Sequence, residues 1–480
     1  MGLLLVTATG ICSMMGASIN VIPFMIQKNV PGIGPYVVPA FLFAAIPAIF
    51  AAYAYAILSS AMPRAGGSYL YASRGLSPYL GFIASFSQWF GLSIVIGVIS
   101  YIIVPFIRDV FFNLGFINIS DFLEVGSVRL TISLLLIWFF VLINIVGGKV
   151  YKNTLIPMLV IMFVLGSIVL ITGLVYDQND FINSVLNSEN RVIEPTSNIK
   201  FDWKIFLTAA TLMFSSFIGF DAIAQTGNEA KNPTKNIPRA ILLAIFIVAS
   251  YYILFTISVY NIVPWSFVAD ESITKDITAP GLLSYVLPPF WGILIIIGAA
   301  IALINDLPAM ILSVSRLMFA WAKDNIFPNR VALIHSKFNT PYIAIILVGV
   351  VASIGAIGSH FAGDFFLGID IMVTSMMINF LLMCVTLISI QKVNFKLFKN
   401  ITVIKNRAIQ LFIGYTGTLI ILTFLIIHTY KDLSSNVEEW YFHSTYIYLI
   451  VMIIASIYFA LRWKTVQVKN NNTFKTLPVE

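Results

Sequence analysis

Long apolar segments recur along the whole chain and restrict what it can fold into. A helix needs roughly 20 mostly apolar residues to cross the hydrocarbon core of a bilayer, and the sequence supplies such segments one after another. Only 10% of the residues are charged, whereas soluble domains carry about 25%. A membrane β-barrel would instead show alternating segments of about ten residues. The sequence therefore predicts an all-α polytopic membrane protein.

The apolar segments predict twelve membrane-spanning helices. They are residues 3–26, 36–61, 78–107, 128–146, 154–175, 206–224, 240–262, 282–321, 342–359, 365–390, 409–428 and 446–461. The two cysteines, Cys12 and Cys384, lie inside these spans. Buried free thiols are therefore expected rather than a disulfide framework.

The distribution of basic residues predicts the orientation in the membrane. The connections between successive spans lie alternately on the two sides of the membrane. The chain has 28 Lys and Arg residues, of which eight fall on one side and the other twenty on the opposite side. Those eight are Lys28, Arg108, Arg129, Arg191, Lys200, Lys204, Lys275 and Lys431. Cytoplasmic loops carry the excess of Lys and Arg, so both termini are expected in the cytoplasm and the protein in the plasma membrane. The net charge of +7 is thus a topology signal, and no nucleic-acid partner is expected.

Small and polar residues interrupt the first and sixth spans. The first contains S-M-M-G-A-S-I-N at residues 13–20, and the sixth contains S-S-F-I-G-F-D at residues 215–221. Unwound backbone in a transporter helix offers N–H and C=O groups to a polar substrate. The alternative is that small residues only allow helices to pack closely. The two interruptions fall at positions equivalent under a five-plus-five inverted repeat, which favours a binding site.

Four motifs resemble those of a known superfamily. They are M-G-A-S-I at residues 15–19, M-P-R-A-G-G-S-Y at 62–69, F-I-G-F-D at 217–221 followed by E-A-K-N-P at 229–233 and I-P-R-A-I at 237–241, and S-R with A-K-D-N-I-F-P within 315–328. In this order they resemble the amino acid–polyamine–organocation superfamily. Ser18 stands where that family usually has a second glycine, and Ser215 where it often has a gating aromatic residue.

The resemblance implies a leucine-transporter-type fold with broken first and sixth helices. Residues 1–390 would form a ten-helix transport core made of inverted repeats at about 1–176 and 203–390. Residues 408–462 would add two accessory helices, and residues 463–480 a cytoplasmic tail, which is expected to be disordered because it is short and rich in asparagine.

A zwitterion inside a membrane needs partners for both of its charges. The second half of a broken first helix would direct free N–H groups at a carboxylate, and we assign that role to Gly16, Ala17 and Ser18. By resemblance, backbone carbonyls would receive the ammonium group. Those carbonyls belong to Met14, Ser215, Ser216 and Ile218.

Two aromatic residues are candidates for the side-chain pocket. Phe220 and Trp89 are close to the interruptions in sequence or by helix order, although in a chain with 39 Phe an aromatic residue more often serves packing. Among the charged residues, Asp221 ends the sixth-span motif and could hold the interruption open through hydrogen bonds to free N–H groups.

Three further charged residues are candidates for coupling or gating. Asp306 lies in the eighth span beside Pro308, where it could carry a proton, coordinate Na⁺ or form a structural hydrogen bond. Glu229 and Arg239 lie in the predicted cytoplasmic connection after the sixth span, where ion pairs could close the inner end. No cofactor or bound metal is expected beyond a coupling H⁺ or Na⁺.

The function implied by the resemblance is secondary transport of amino acids by alternating access, coupled to protons or by exchange. A polyamine or amine permease and a sodium-coupled symporter are the alternatives. The sequence contains no metal-ligand cluster, phosphate loop or nucleophile motif, so an enzyme is not expected. The partners are then an amino acid and the lipid bilayer, with the amino acid, the coupling ion and the oligomeric state left open.

Overall fold

The protein is helical throughout the part that the structure describes. The computed structural model describes residues 1–16, 18–193, 199–274, 277–362, 365–435, 440–469 and 473–478. The α-helices are α1 Leu3–Met14, α2 Ser18–Asn29, α3 Val37–Ala61, α4 Gly67–Gly75, α5 Pro78–Asn113, α6 Ile117–Glu124, α7 Gly126–Val146, α8 Gly148–Val175, α9 Gln178–Glu189, α10 Trp203–Met213, α11 Ala222–Gln225, α12 Pro233–Ile262, α13 Trp265–Thr274, α14 Ala279–Leu283, α15 Pro289–Lys323, α16 Tyr342–Ala362, α17 Phe365–Val393, α18 Phe395–Phe398, α19 Arg407–Ser434 and α20 Ser444–Lys469. Short 3₁₀ helices cover Gly34–Tyr36, Phe214–Phe217, Asn329–Ala332, Trp440–Phe442 and Thr473–Lys475.

Within the described ranges, twelve helical segments are long and apolar enough to cross a membrane, which confirms the predicted number of spans. The first span consists of α1 and α2, and the sixth of α10, the 3₁₀ turn Phe214–Phe217 and α11. The predicted interruptions of these two spans are therefore present. The inverted repeat and the domain boundaries stay predictions.

Several predicted boundaries differ from the structure, among them the start of the eighth span and the end of the third. The eighth span begins at Pro289 rather than at residue 282, because α14 ends at Leu283 and Pro289 occupies the first turn of α15. Proline suits that position since its missing N–H has no partner there in any helix. The third span continues to Asn113 instead of ending at residue 107, and Arg108 forms ion pairs with Asp109 and Glu124 at this end.

The interrupted spans lie inside the helical bundle. The most apolar part of the first span is completely buried, and that of the sixth is 83% buried. The corresponding buried shares of the fourth and fifth spans are 33% and 22%. The third span (α5) packs extensively against the eighth (α15) and the tenth (α17), and the first half of the first span (α1) packs against the seventh (α12) and the eighth. The molecule thus presents apolar outer helices and holds its unwound backbone at the centre.

Part of the segment after the twelfth span packs on the rest of the protein. Helix α20 continues to Lys469. The Phe474 ring packs against Trp463 with centroids 5.6 Å apart and lies 5.2 Å from the Arg74 guanidinium carbon. The asparagines at 470–472 lie outside the described residues, so the disorder expected for this tail stays a prediction.

Accessibility labelling can test the orientation that the basic residues predict. Cysteines introduced at exposed Asn187, after the fifth span, and at exposed Asn400, after the tenth, should react from opposite sides of the membrane. An impermeant thiol reagent applied from outside intact cells should label the first and spare the second. The native Cys12 and Cys384 are buried and should give little background. Labelling of both positions from one side would contradict the twelve-span topology.

Candidate functional site

The interruption of the first span ends helix α1 with a tight turn. The N–H of Met15 donates to the carbonyl of Ile11 (2.8 Å), and the N–H of Gly16 to that of Met14 (3.1 Å). Helix α2 then starts at Ser18, and the N–H groups of a first helical turn have no partner within the helix. Ala17 and the side chain of Ser18 lie outside the part of the chain that the structure describes.

A glycine allows the sixth span to unwind against the first. Ile218 is extended, and Gly219 has a φ of +133°, a conformation that residues with a Cβ rarely adopt. A Cβ at Gly219 would also collide with the carbonyl oxygen of Ser13. The two interruptions therefore touch each other through backbone atoms, and only glycine fits at their contact.

One cavity lies where the two interruptions meet. Its volume is about 40 Å³, enough for a few water molecules. A free amino acid would require some lining side chains to move apart. The lining residues are Ser13, Met14, Gly16, Ile22, Val95, Val98, Ile99, Ser215, Ile218, Asp306, Met310, Ile369 and Met372.

Asp306 is the one ionisable side chain among the residues that line this cavity. It is 3% exposed, and its Oδ1 has no hydrogen-bond partner among the described residues. Its Oδ2 faces Gly16 closely enough that a Cβ on Gly16 would collide with it. A buried carboxyl oxygen without a partner is costly, so this position suits a bound proton or cation.

The family model described as amino acid permease matches residues 1–456. The chain belongs to the amino acid permease family. This confirms the resemblance to the amino acid–polyamine–organocation superfamily, and it makes the protein a multi-pass membrane protein of a transporter family.

Several curated transporters are similar to part of this permease. An uncharacterized transporter of Mycobacterium tuberculosis is 34% identical over 152 residues, which cover 31% of this chain and 33% of the relative. The branched-chain amino acid permease BcaP of Bacillus subtilis is 28% identical over 150 residues, 31% of each chain. Cationic amino acid transporter 4 of Mus musculus is 28% identical over 157 residues, 33% of this chain and 24% of the relative. The matches thus span about a third or less of these relatives.

The permease brings five of the predicted substrate and coupling residues to one cavity. These are Met14, Gly16, Ser215, Ile218 and Asp306. The carbonyls of two of them already accept hydrogen bonds. The Tyr252 hydroxyl donates to Met14 (2.5 Å), and the N–H of Ile218 donates to Ser215 (3.2 Å).

Three predicted substrate-binding residues lie away from the cavity lining. Ser216 is fully buried and its hydroxyl has no partner among the described residues. Phe220 stacks on Phe380 with centroids 5.0 Å apart. Trp89 packs against Phe86 and Trp321. Both aromatic side chains therefore pack against other aromatic rings in this structure and do not line the cavity.

Asp221 lies behind the interruption of the sixth span, in a polar network that the sequence did not reveal. Its Oδ1 accepts the N–H of Gly219 (3.2 Å), and its Oδ2 accepts the side-chain amide of Gln88. The Oε1 of Gln88 in turn accepts the Ser68 hydroxyl (2.5 Å). Gln88 is a polar residue in an otherwise apolar span, and that contrast was the one available signal for its role.

Two ion pairs lie near the end of α15 that is predicted to face the cytoplasm. Arg316 donates to Glu229 at 2.8 Å and 3.1 Å. Arg239, the other residue predicted to take part in ion pairs of this connection, is exposed and forms no ion pair with any residue that the structure describes. Glu229 therefore pairs with the eighth span, and the gating role of both residues stays a prediction.

The second ion pair joins Arg74 of α4 to Asp324 at the end of α15. Two nitrogens of Arg74 contact both carboxylate oxygens, at 2.6 Å and 3.0 Å, and the Tyr69 hydroxyl adds a bond of 2.5 Å. Burial alone would lower the pKa of Arg74, but the charges and hydrogen bonds of Asp324 and Tyr69 together outweigh burial and raise this pKa. Arg74 therefore stays charged although it is almost completely buried.

The contact between the two interruptions predicts a stability effect. Gly219→Ala should destabilise the permease by about 1–3 kcal/mol, because alanine is strained at this φ and its Cβ meets the Ser13 carbonyl. Thermal unfolding in detergent measures the change. Gly358→Ala is the matched control. Gly358 lies within α16, and apart from the backbone of that helix no atom lies within 4 Å of a Cβ added there. Equal unfolding temperatures for the two variants would contradict the strain argument.

Proposed function

We propose that this permease is a secondary active transporter that carries amino acids across the plasma membrane by alternating access. Both termini would lie in the cytoplasm. The observation that carries the proposal is the cavity between the two interrupted spans, which combines free backbone groups with a buried carboxyl group and apolar walls. The family to which the chain belongs supports amino acids as the substrate class.

The interruptions offer complementary partners to a zwitterion. The free N–H groups at the start of α2 and the partial positive charge of that helix end suit the substrate carboxylate. The oxygen atoms of Met14, Ser215 and Ile218 suit the ammonium group, together with the carboxylate of Asp306. The Ser215 carbonyl accepts a hydrogen bond from Ile218 and has a second lone pair for the ammonium group. The Met14 carbonyl accepts from both Gly16 and Tyr252, so it would have to exchange one of these bonds for the substrate.

The role of the first interruption can be tested at Gly16. A valine there would fill the space between the backbone and Asp306, so Gly16→Val should abolish amino acid binding while the protein still inserts into the membrane. Amino acid amides and decarboxylated amines should compete poorly with the substrate for the wild-type protein. Stabilisation against heat by amino acids measures binding, since a ligand of the native state raises apparent stability.

Gly358→Val controls for the general effect of a larger side chain, since the space around Gly358 is open. Binding that survives in Gly16→Val would exclude recognition through this backbone segment. Strong competition by amines that lack a carboxylate would favour the polyamine or amine permease, for which the N–H groups of α2 would have no partner.

We infer that Asp306 couples transport to protons. Its carboxyl group is buried beside the first interruption, and one of its oxygens has no hydrogen-bond partner among the described residues. A proton would neutralise the charge that burial disfavours. The same oxygens could instead coordinate Na⁺, which prefers hard oxygen ligands, so a sodium-coupled symporter is the second candidate.

Uptake into proteoliposomes separates these two coupling ions. Under proton coupling, uptake should rise as the external pH falls and should not require sodium. Asp306→Asn should then remove accumulation driven by a proton gradient but spare exchange of substrate at equal concentrations. Accumulation driven by pH that persists in Asp306→Asn would eliminate Asp306 as the carrier, and uptake that requires sodium would favour the symporter.

A further inference from the structure

One wall of the cavity is made entirely of aliphatic and thioether side chains. The third span contributes Val95, Val98 and Ile99, and the tenth contributes Ile369 and Met372. The polar groups of the lining are the side chains of Ser13, Ser215 and Asp306 and the backbone at Gly16, and they come from the first, sixth and eighth spans. These three spans also contribute four apolar residues, Met14, Ile22, Ile218 and Met310. The cavity is therefore divided by chemistry into a polar side at the interruptions and an apolar wall, defined here as those five residues of the third and tenth spans.

The ionisable residue next to the apolar wall is engaged elsewhere. Asp370 follows Ile369 on α17, but it does not line the cavity. Its Oδ2 lies 4.0 Å from the Nζ of Lys431, and its carbonyl oxygen lies 3.3 Å from the Nε2 of His428. Both contacts join it to the eleventh span. A charged substrate side chain that reached the apolar wall would therefore find no counter-charge among its lining residues.

Asp306 does not fill that gap, because it lies on the polar side. Its Oδ2 faces Gly16, at the interruption where the amino and carboxyl groups of the substrate are proposed to bind. A substrate held there by those groups would direct its side chain away from the interruption. The carboxylate of Asp306 is then a partner for the main-chain end of the substrate.

The apolar wall is held by close contacts between its two helices. A Cβ on Gly368 of α17 would lie 2.5 Å from Val98 Cγ2, and one on Gly91 of α5 would lie 3.1 Å from the Cα of Met372. The third and tenth spans therefore touch through glycine on both sides of the wall.

We propose that the transported amino acid has an uncharged aliphatic or thioether side chain, which packs on the apolar wall formed by Val95, Val98, Ile99, Ile369 and Met372. This rests on the proposed function, since it assumes that the substrate is an amino acid bound at the interruptions. Burying a charge without a partner is strongly unfavourable. One methylene group in an apolar pocket changes selectivity about 10-fold or more.

Matched amino acids test the wall directly. Norleucine and lysine differ by a terminal ammonium group on similar chains, and leucine and asparagine have similar shapes but different polarity. Purified wild-type protein in liposomes should take up radiolabelled leucine, and norleucine should inhibit this uptake at a concentration at least about 10-fold lower than lysine. Leucine should outcompete asparagine by a similar factor.

The outcomes separate this inference from the proposed function. Lysine or asparagine that competes as well as its apolar counterpart, or that is itself taken up in place of leucine, would overturn the apolar substrate class and leave amino acid transport intact. If none of the four amino acids binds or is transported while pentylamine does, the proposed function fails as well. Preference for norleucine over both lysine and pentylamine supports the two together.

Substitutions at Val98 test whether the wall sets the preference. Val98→Asp should move selectivity toward lysine, because it supplies the missing counter-charge. A buried carboxylate can also prevent folding, so Val98→Ala is the second test, and it should weaken inhibition by norleucine about 10-fold while leaving alanine little changed. Val348→Ala, a fully buried valine on α16 outside the cavity, is the matched control. The same change of selectivity in Val348→Ala would show that packing rather than the wall is responsible.

Discussion

Backbone groups inside a membrane must find partners within the protein, and this constraint shapes the centre of the permease. Interrupting the first and sixth spans releases N–H and C=O groups far from water. Side chains satisfy two of them. The Tyr252 hydroxyl bonds to the carbonyl of Met14, and Asp221 of the sixth span accepts the N–H of Gly219. Continuous helices stabilise both interruptions, since α12 supplies Tyr252 and α5 supplies Gln88, which holds Asp221 in place.

The same arrangement explains why the cavity has two kinds of surface. Asp221 is itself held by Gln88 of the third span, so α5 supports the sixth interruption with one face. A little further along, α5 presents Val95, Val98 and Ile99 to the cavity. A single continuous helix therefore fixes both the unwound backbone and the apolar wall. The polar and the apolar parts of the cavity lining therefore keep the same relative position, because α5 contacts both.

The sequence predicted the features whose physical signal is local. Twelve spans and two interruptions follow from apolar segment length and from clusters of small residues, and the structure contains both. The apolar wall could not be predicted, because Val98 or Ile369 looks the same in sequence whether it faces lipid, the core or a cavity. Phe220 and Trp89 were assigned by proximity in sequence or by helix order, whereas in the folded chain their rings pack against other aromatic residues. Partners such as Gln88 and Asp221, 133 residues apart, depend on the tertiary fold.

The two ion pairs near the C-terminal end of α15 differ in how easily they can separate. The side chains of Arg74 and Asp324 are 0% and 4% exposed, and breaking such a buried pair by losing one partner costs roughly 3–5 kcal/mol. The Glu229 side chain is 36% exposed, and pairs that water reaches contribute only about 0–1 kcal/mol. Motion at this end would therefore part Glu229 from Arg316 before it parted Arg74 from Asp324. Helix α4 and the end of α15 would then move as one body, while the connection after the sixth span could swing away from them.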